Sequence, residues 1–333
     1  MRNRLFGTVI AVVAGLSLAA CSSSTDASTS GHTASSSATS SGDQLSVEAS
    51  FYPLKYLTQH VGGDKVIVDS LTPDGAEPHD LELSPQKVAE LGKADVAVYL
   101  AGFQGAVDDA IATNPPKTVI DVAPVVHLMP ATGEDEDDHD AAESGSDHSG
   151  SEADSEEHDH GMWDPHFWLD PARMKAAALT IADKLAQASP DNAEYFKANA
   201  ASLGQELDAL STQLVDGTKT CTHRTFVTAH AAFGYLASVA GLQQMGISGL
   251  DPDSAPSPAR LQEISQVVKG QGLSTIFTEA LIDPKVADTL ANDLGVTTEV
   301  LDPIESQTDP SKDYQAVIRD NITKLQKALE CHS

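Results

Sequence analysis

Cysteine is scarce in this chain: Cys21, Cys221 and Cys331 are the three in 333 residues, and none belongs to a C-x-x-C pair. That spacing excludes the thiolate clusters of zinc ribbons and fingers. Basic residues are also in short supply. The 20 Lys and Arg stand against 49 Asp and Glu, a net charge of −29. No basic stripe is present, which argues against a nucleic-acid partner and for cations as ligands. The apolar run at 5–20 is shorter than the roughly 20 residues a membrane-spanning helix needs. No H-E-x-x-H occurs, so the commonest zinc-hydrolase signature is missing.

What is present first sets a compartment. A short basic start at 1–4 leads into the apolar run, which ends Leu18-Ala19-Ala20-Cys21. That reads as a signal peptide over 1–20, cleaved after small residues. The Cys in this context resembles a bacterial lipobox, which implies lipid on Cys21. The Ser/Thr/Gly-rich stretch at 21–43 reads as a flexible spacer from that anchor. With Cys21 occupied, Cys221 and Cys331 are left as a disulfide candidate in an exported protein; two free thiols is the competing reading.

From residue 44 the pattern is α/β. Short β-prone runs fall at 47–51, 66–71, 96–100 and 118–122, with helical patterns at 52–61 and 84–91 between them. Ser84-Pro85 marks a helix start, a capping Ser followed by Pro at the first helical position. Residues 171–214 are rich in helix formers, and Ser189-Pro190 restarts the helix. Tyr195, Phe196, Leu203, Leu207, Leu210 and Leu214 follow at helical spacing. The second half repeats the grammar of the first, with strands at 225–228, 275–278 and 299–301 and helices at 231–240, 258–269, 284–294 and 313–329. The expectation is two α/β lobes, 44–170 and 220–333, joined by helix over 171–219, with a cleft between them.

One segment fits neither lobe. Residues 131–161 are acidic, carry His139, His148, His158 and His160, and have no means of packing a core. The remaining histidines of interest sit at element ends. His79 follows the second strand in a Gly- and Pro-bounded turn, His166 lies between two prolines, and His230 follows the strand at 225–228 and opens a helix. Loops on a rigid scaffold are where binding residues gather. Three imidazoles with one carboxylate make a tetrahedral zinc site. Glu279 and Asp302 each follow a strand and each offers an oxygen, so on residue type alone both stay open.

The segments DGAEPHDLELSP (74–85), DPHFWLDP (164–171), TAHAAFGYL (228–236), IFTE (276–279) and LDP (301–303) resemble, in order, the zinc/manganese solute-binding lipoproteins of bacterial ABC importers. The resemblance runs from about residue 45 to the C-terminus. It implies two doubly wound lobes joined by one long backbone helix, with the metal in the interlobe cleft. It implies His79, His166 and His230 as ligands, where manganese members often have Glu at the third position, and Asp302 as the acid. Glu305 is the rival for that place. Glu279 would orient a histidine, and Glu77 would reach the metal only if its turn bends back. The acidic loop matches an insertion found in zinc-type relatives and implies a weak zinc-gathering arm; a solvated linker is the plainer reading.

The expected function is a lipid-anchored, extracytoplasmic receptor, monomeric and not an enzyme, that binds Zn²⁺ and hands it to an ABC permease. A manganese-binding member of the same family is the first alternative. A metal-dependent adhesin would need exposed aromatic patches, yet aromatics are only 5% of residues; Trp163 and Trp168 flank His166 and are expected to wall the cleft. A zinc hydrolase would need an open coordination position, which four protein ligands deny it. Release requires one ligand bond to break, and the second-lobe acid is expected to leave first.

Overall fold

Strand and helix alternate along the chain, as the hydrophobic pattern demands. The computed structural model describes residues 44–131 and 163–332. The signal segment, Cys21, the spacer and His139, His148, His158 and His160 lie outside the described residues. In the first lobe the order is β1 (Leu45–Ala49), α1 (Tyr52–Gly62), β2 (Val66–Ser70), α2 (Pro85–Leu91), β3 (Val96–Tyr99), α3 (Gly105–Thr113), β4 (Thr118–Asp121) and the single turn α4 (Ala123–Val126). The two-residue strands β5 (Met129–Pro130) and β6 (Trp163–Asp164) pair antiparallel on either side of the undescribed segment. Helices α5 (Pro171–Ala188) and α6 (Ala193–Thr218) follow. The second lobe runs β7 (Thr225–Thr228), α7 (Gly234–Ala240), β8 (Gln243–Gly246), α8 (Pro258–Gln271), β9 (Thr275–Thr278), α9 (Lys285–Leu294), β10 (Thr297–Val300) and α10 (Tyr314–Ala328).

Each lobe holds a parallel four-stranded sheet, β2-β1-β3-β4 in the first and β8-β7-β9-β10 in the second. The two orders are the same when each lobe is counted from its own first strand. In such sheets the chain leaves the first and third strands in opposite directions, and the crevice beyond their carboxyl ends is where ligands bind.

Local chemistry fixes the helix ends. Ser84, Ser257, Asp170 and Asp313 accept backbone N–H groups at the starts of α2, α8, α5 and α10, and Pro occupies the first position of the first three. Side-chain caps of this kind contribute about 1 kcal/mol each.

Helix over 171–219, restarting at Ser189-Pro190, is expected to join the lobes. The structure has two helices, α5 and the longer α6, which fold back on each other at Ser189-Pro190. Phe196, Leu203, Leu207, Leu210 and Leu214 form the buried stripe of α6, while Tyr195 is turned out and 39% exposed. Helix α6 packs on α1 of the first lobe and on α10 and α7 of the second. One hydrophobic cluster therefore runs through both lobes from Val47 to Leu329, with smaller clusters on the outer face of each sheet. A continuous core resists hinge motion, because interiors are close-packed. The Cys221–Cys331 disulfide pins the end of α10 to the entry of β7. Among the described residues no helix is long and apolar enough to cross a membrane.

Candidate metal site

The carboxyl ends of the strands meet in the cleft. His230 lies two residues past β7, and Glu279 directly follows β9, so the pair brackets the crevice of the second lobe. His166 follows β6, and His79 rides on the loop between β2 and α2. His230 does not open a helix as the sequence reading had it; α7 begins at Gly234. The reason is that the His230 carbonyl is already engaged, accepting from Thr228 Oγ1 at 2.6 Å and Gln244 Nε2 at 2.9 Å.

Four side chains converge: His79, His166, His230 and Glu305 each present a ligand atom within 4.8 Å of the others. Glu305 Oε1 lies 3.2 Å from His166 Nε2, 3.3 Å from His230 Nε2 and 3.5 Å from His79 Nε2. His230 Nε2 is 3.4 Å from His166 Nε2. Zinc–ligand bonds of 2.0–2.1 Å in a tetrahedron require edges of roughly 3.3 Å. Four of the six edges are therefore already at the length a zinc ion needs. His79 Nε2 is buried, with Glu305 Oε1 its nearest charged neighbour at 3.5 Å, and points into the same space as the other two imidazoles.

Asp302 is not in this group, contrary to the expectation from sequence. Its Oδ1 accepts from Ile304 N–H at 2.8 Å and its Oδ2 from Thr308 Oγ1 at 3.2 Å. Its main chain is clamped by Asn321, at 3.1 Å to N and 2.7 Å to O. Asp302 thus shapes a turn. Ile304 takes φ 59°, a left-handed conformation costly for a β-branched residue, and the reversal sends Glu305 into the cleft. The indole Nε1–H of Trp168 donates to Pro303 O at 2.7 Å and holds the same turn from the other side.

Behind the nitrogens stand carboxylates. Asp164 Oδ1 lies 2.8 Å from His166 Nδ1 and also accepts its backbone N–H at 2.9 Å. Glu279 Oε2 lies 2.6 Å from His230 Nδ1, and its Oε1 accepts the His230 backbone N–H at 3.0 Å. Such pairs keep the proton on Nδ1 and leave Nε2 free to bind metal. Asp164 had escaped the sequence reading, although its place two residues before His166 is the spacing of a side chain that caps its own turn. Glu77 does not reach the metal position; it accepts from His79 N–H at 2.9 Å and Asp80 N–H at 3.3 Å, with Oε1 4.0 Å from His79 Nε2. Trp168 walls the cleft, its ring 5.1 Å from that of His166, whereas Trp163 is 50% exposed and does not.

The electrostatics favour a cation. Burial alone would lift the Glu305 carboxyl, but the hydrogen bonds of His166, His230 and His79 outweigh it and hold it well below the usual range. Burial opposes a charge on His230, yet Glu279 and Glu305 overcome it and push the imidazole up to about 10. His166 is raised in the same way, burial being outweighed by Asp164 and Glu305. Before a cation arrives, protons hold the positive charge that the acids demand.

The family described as "ZnuA: Zinc-uptake complex component A periplasmic" matches residues 47–328. The chain belongs to this family. Zinc-binding lipoprotein AdcA of Streptococcus pneumoniae (strain ATCC BAA-334 / TIGR4) is 34% identical over 86% of this chain and 56% of that protein. The chain thus spans about half the length of the first curated relatives it matches. High-affinity zinc uptake system protein ZnuA of Bacillus subtilis is 32% identical, with 99% of each chain covered. Among solved structures, the Zn(II)-bound ZnuA-like domain of S. pneumoniae AdcA matches with TM-score 0.68 and 31% identity over 86% of this chain and 99% of that one. The laminin-binding protein Lmb of Streptococcus agalactiae, described as a bifunctional adhesin and metal transporter, matches with TM-score 0.74 and 30% identity over 86% and 99%.

Proposed function

We propose that this chain is an extracytoplasmic receptor that captures Zn²⁺ between its lobes and delivers it to an ABC permease. The ligand set is His79, His166, His230 and Glu305, with Glu305 in the place first given to Asp302. The observation that carries this is the set of edges from 3.2 to 3.5 Å around Glu305 Oε1, backed by carboxylates on two imidazoles. Three imidazoles and one carboxylate suit Zn²⁺, whereas a more oxygen-rich set suits Mn²⁺. A second carboxylate in place of His230 would be needed to tilt the site towards manganese.

Four protein ligands close the tetrahedron and leave no position for a catalytic water, so the site is built to bind and not to hydrolyse. We assign residues 1–20 to a signal peptide, Cys21 to a lipid anchor and 21–43 to its spacer, which places the receptor on the outer face of the cell membrane. The histidines at 139, 148, 158 and 160 are assigned to a weak zinc-gathering arm. The test is metal content by mass spectrometry on protein lacking 1–21 and 132–160, stripped and offered equal Zn²⁺ and Mn²⁺. One zinc per chain is expected. Bound manganese, or no metal, overturns the reading.

A further inference from the structure

His79 stands apart in the cluster. His166 and His230 are fully buried, each with a carboxylate behind it, whereas the His79 side chain keeps 13% exposure. Its loop is held within the first lobe by Gln104, whose Nε2 donates to Pro78 O at 3.1 Å and to Thr72 Oγ1 at 2.9 Å. The Lys55–Asp74 ion pair, at 2.9 Å, holds its outer side. Across the cleft the loop is tied at Gly75, whose N–H donates to Ser306 Oγ at 2.7 Å. Ser306 is buried and adjoins Glu305.

A single hydroxyl therefore joins the loop that carries the outermost histidine to the turn that carries the acid. We propose that Ser306 is a latch, a positioning residue that keeps the His79 loop closed over the metal and sets how long zinc stays bound. The proposal rests on the zinc-receptor reading above. It reverses the order of release expected from sequence, because the acid is the better held of the two cross-cleft ligands. Glu305 is 2% exposed, and its turn is fixed by Trp168, Asn321 and the Asp302 side chain together. Besides the metal position itself, the His79 loop meets the second lobe through this bond and through an exposed contact between the Asp80 and Asp253 carboxyls, which repel one another once both are ionised.

Backbone geometry prepares the latch. Gly75 sits at φ 79°, where a residue with a side chain is strained, and a Cβ there would meet nothing within 4 Å. The glycine is needed for its conformation and not for space. That conformation aims its N–H at the opposite lobe. One neutral hydrogen bond shifts an opening equilibrium roughly five-fold, enough to prolong residence and little enough to break during delivery.

The test uses Ser306→Ala and Ser306→Thr in the full chain. Zinc dissociation is followed by stopped flow into excess fluorescent chelator, stoichiometry by calorimetry, and opening by hydrogen exchange at Gly75. Ser306→Ala is expected to keep one zinc, to release it roughly five-fold faster, and to leave the association rate and the metal-free unfolding midpoint unchanged. Ser306→Thr, which restores the hydroxyl, is expected to release at the wild-type rate. In the unmutated zinc-bound protein the Gly75 amide is expected to be protected. An unchanged dissociation rate in Ser306→Ala, or an unprotected Gly75 amide in wild type, overturns the latch while leaving the zinc reading intact. A wild-type chain that holds no zinc overturns both, and stoichiometry alone reveals it before any variant is made.

Discussion

Two neighbouring acids, Asp302 and Glu305, lie on one turn, and exchanging each for its amide separates their roles. Glu305→Gln keeps the volume of a side chain that is 2% exposed but removes the anion facing three imidazoles at 3.2, 3.3 and 3.5 Å. Losing a carboxylate that merely supports a ligand costs 10- to 100-fold in metal affinity. A direct ligand common to three edges of the tetrahedron is worth more, so a loss of roughly 1,000-fold is expected, about 4 kcal/mol. Asp302→Asn retains an oxygen for the Ile304 N–H at 2.8 Å, so the turn keeps its shape. Its zinc affinity is expected to stay within about three-fold of wild type, under 1 kcal/mol. Competition against a chelator of known affinity at fixed pH reads both. If Asp302→Asn abolishes binding while Glu305→Gln retains it, the reasoning from the turn geometry is wrong.

The remaining predictions concern what surrounds the ligands. Glu279→Gln places an amide N–H against His230 Nδ1, which drives the imidazole proton to Nε2; a loss of roughly 10- to 100-fold in zinc affinity is expected by the same competition assay. His230 is raised from 6.5 to about 10 by Glu279 and Glu305 against burial, so its contribution to the metal-free fold is fully present below pH 6.5 and is lost as pH rises through about 10. Urea unfolding of stripped protein should show stability falling across that window, and zinc binding at pH 7.5 should release at least one proton, seen as a buffer-dependent calorimetric heat. Replacing Cys221 and Cys331 with Ser opens a loop of sequence separation 110 and should cost about 4 kcal/mol in urea unfolding, with one zinc still bound.

Most of the fold is legible because its central strands are buried on both faces and four of its helices carry side-chain caps. The runs at 225–228 and 275–278 coincide with β7 and β9 to the residue, since both are central strands with nearly continuous burial. Strand β8 was missed because Gln243-Gln244-Met245-Gly246 has no β-branched or aromatic residue; it forms only by pairing with β7 at the sheet edge. Helix α3 was missed because Gln104 gives it no side-chain cap and Gly105 opens it. Three of the four converging side chains stand out in sequence, as histidines at the ends of elements. The fourth does not. Asp302, Pro303, Ile304 and Glu305 place two acids in one turn, and which one enters the cleft is decided by the positive φ of Ile304. No local preference predicts that conformation for isoleucine; the Trp168 and Asn321 bonds impose it.

X-ray absorption at the zinc edge, on protein loaded with one equivalent and lacking 132–160, tests the central claim most directly. The expected spectrum is four-coordinate, with nitrogen and oxygen neighbours at about 2.0–2.1 Å and the multiple scattering of three imidazoles. A sulfur shell, six-coordination, or fewer than three imidazoles would contradict the site built from His79, His166, His230 and Glu305.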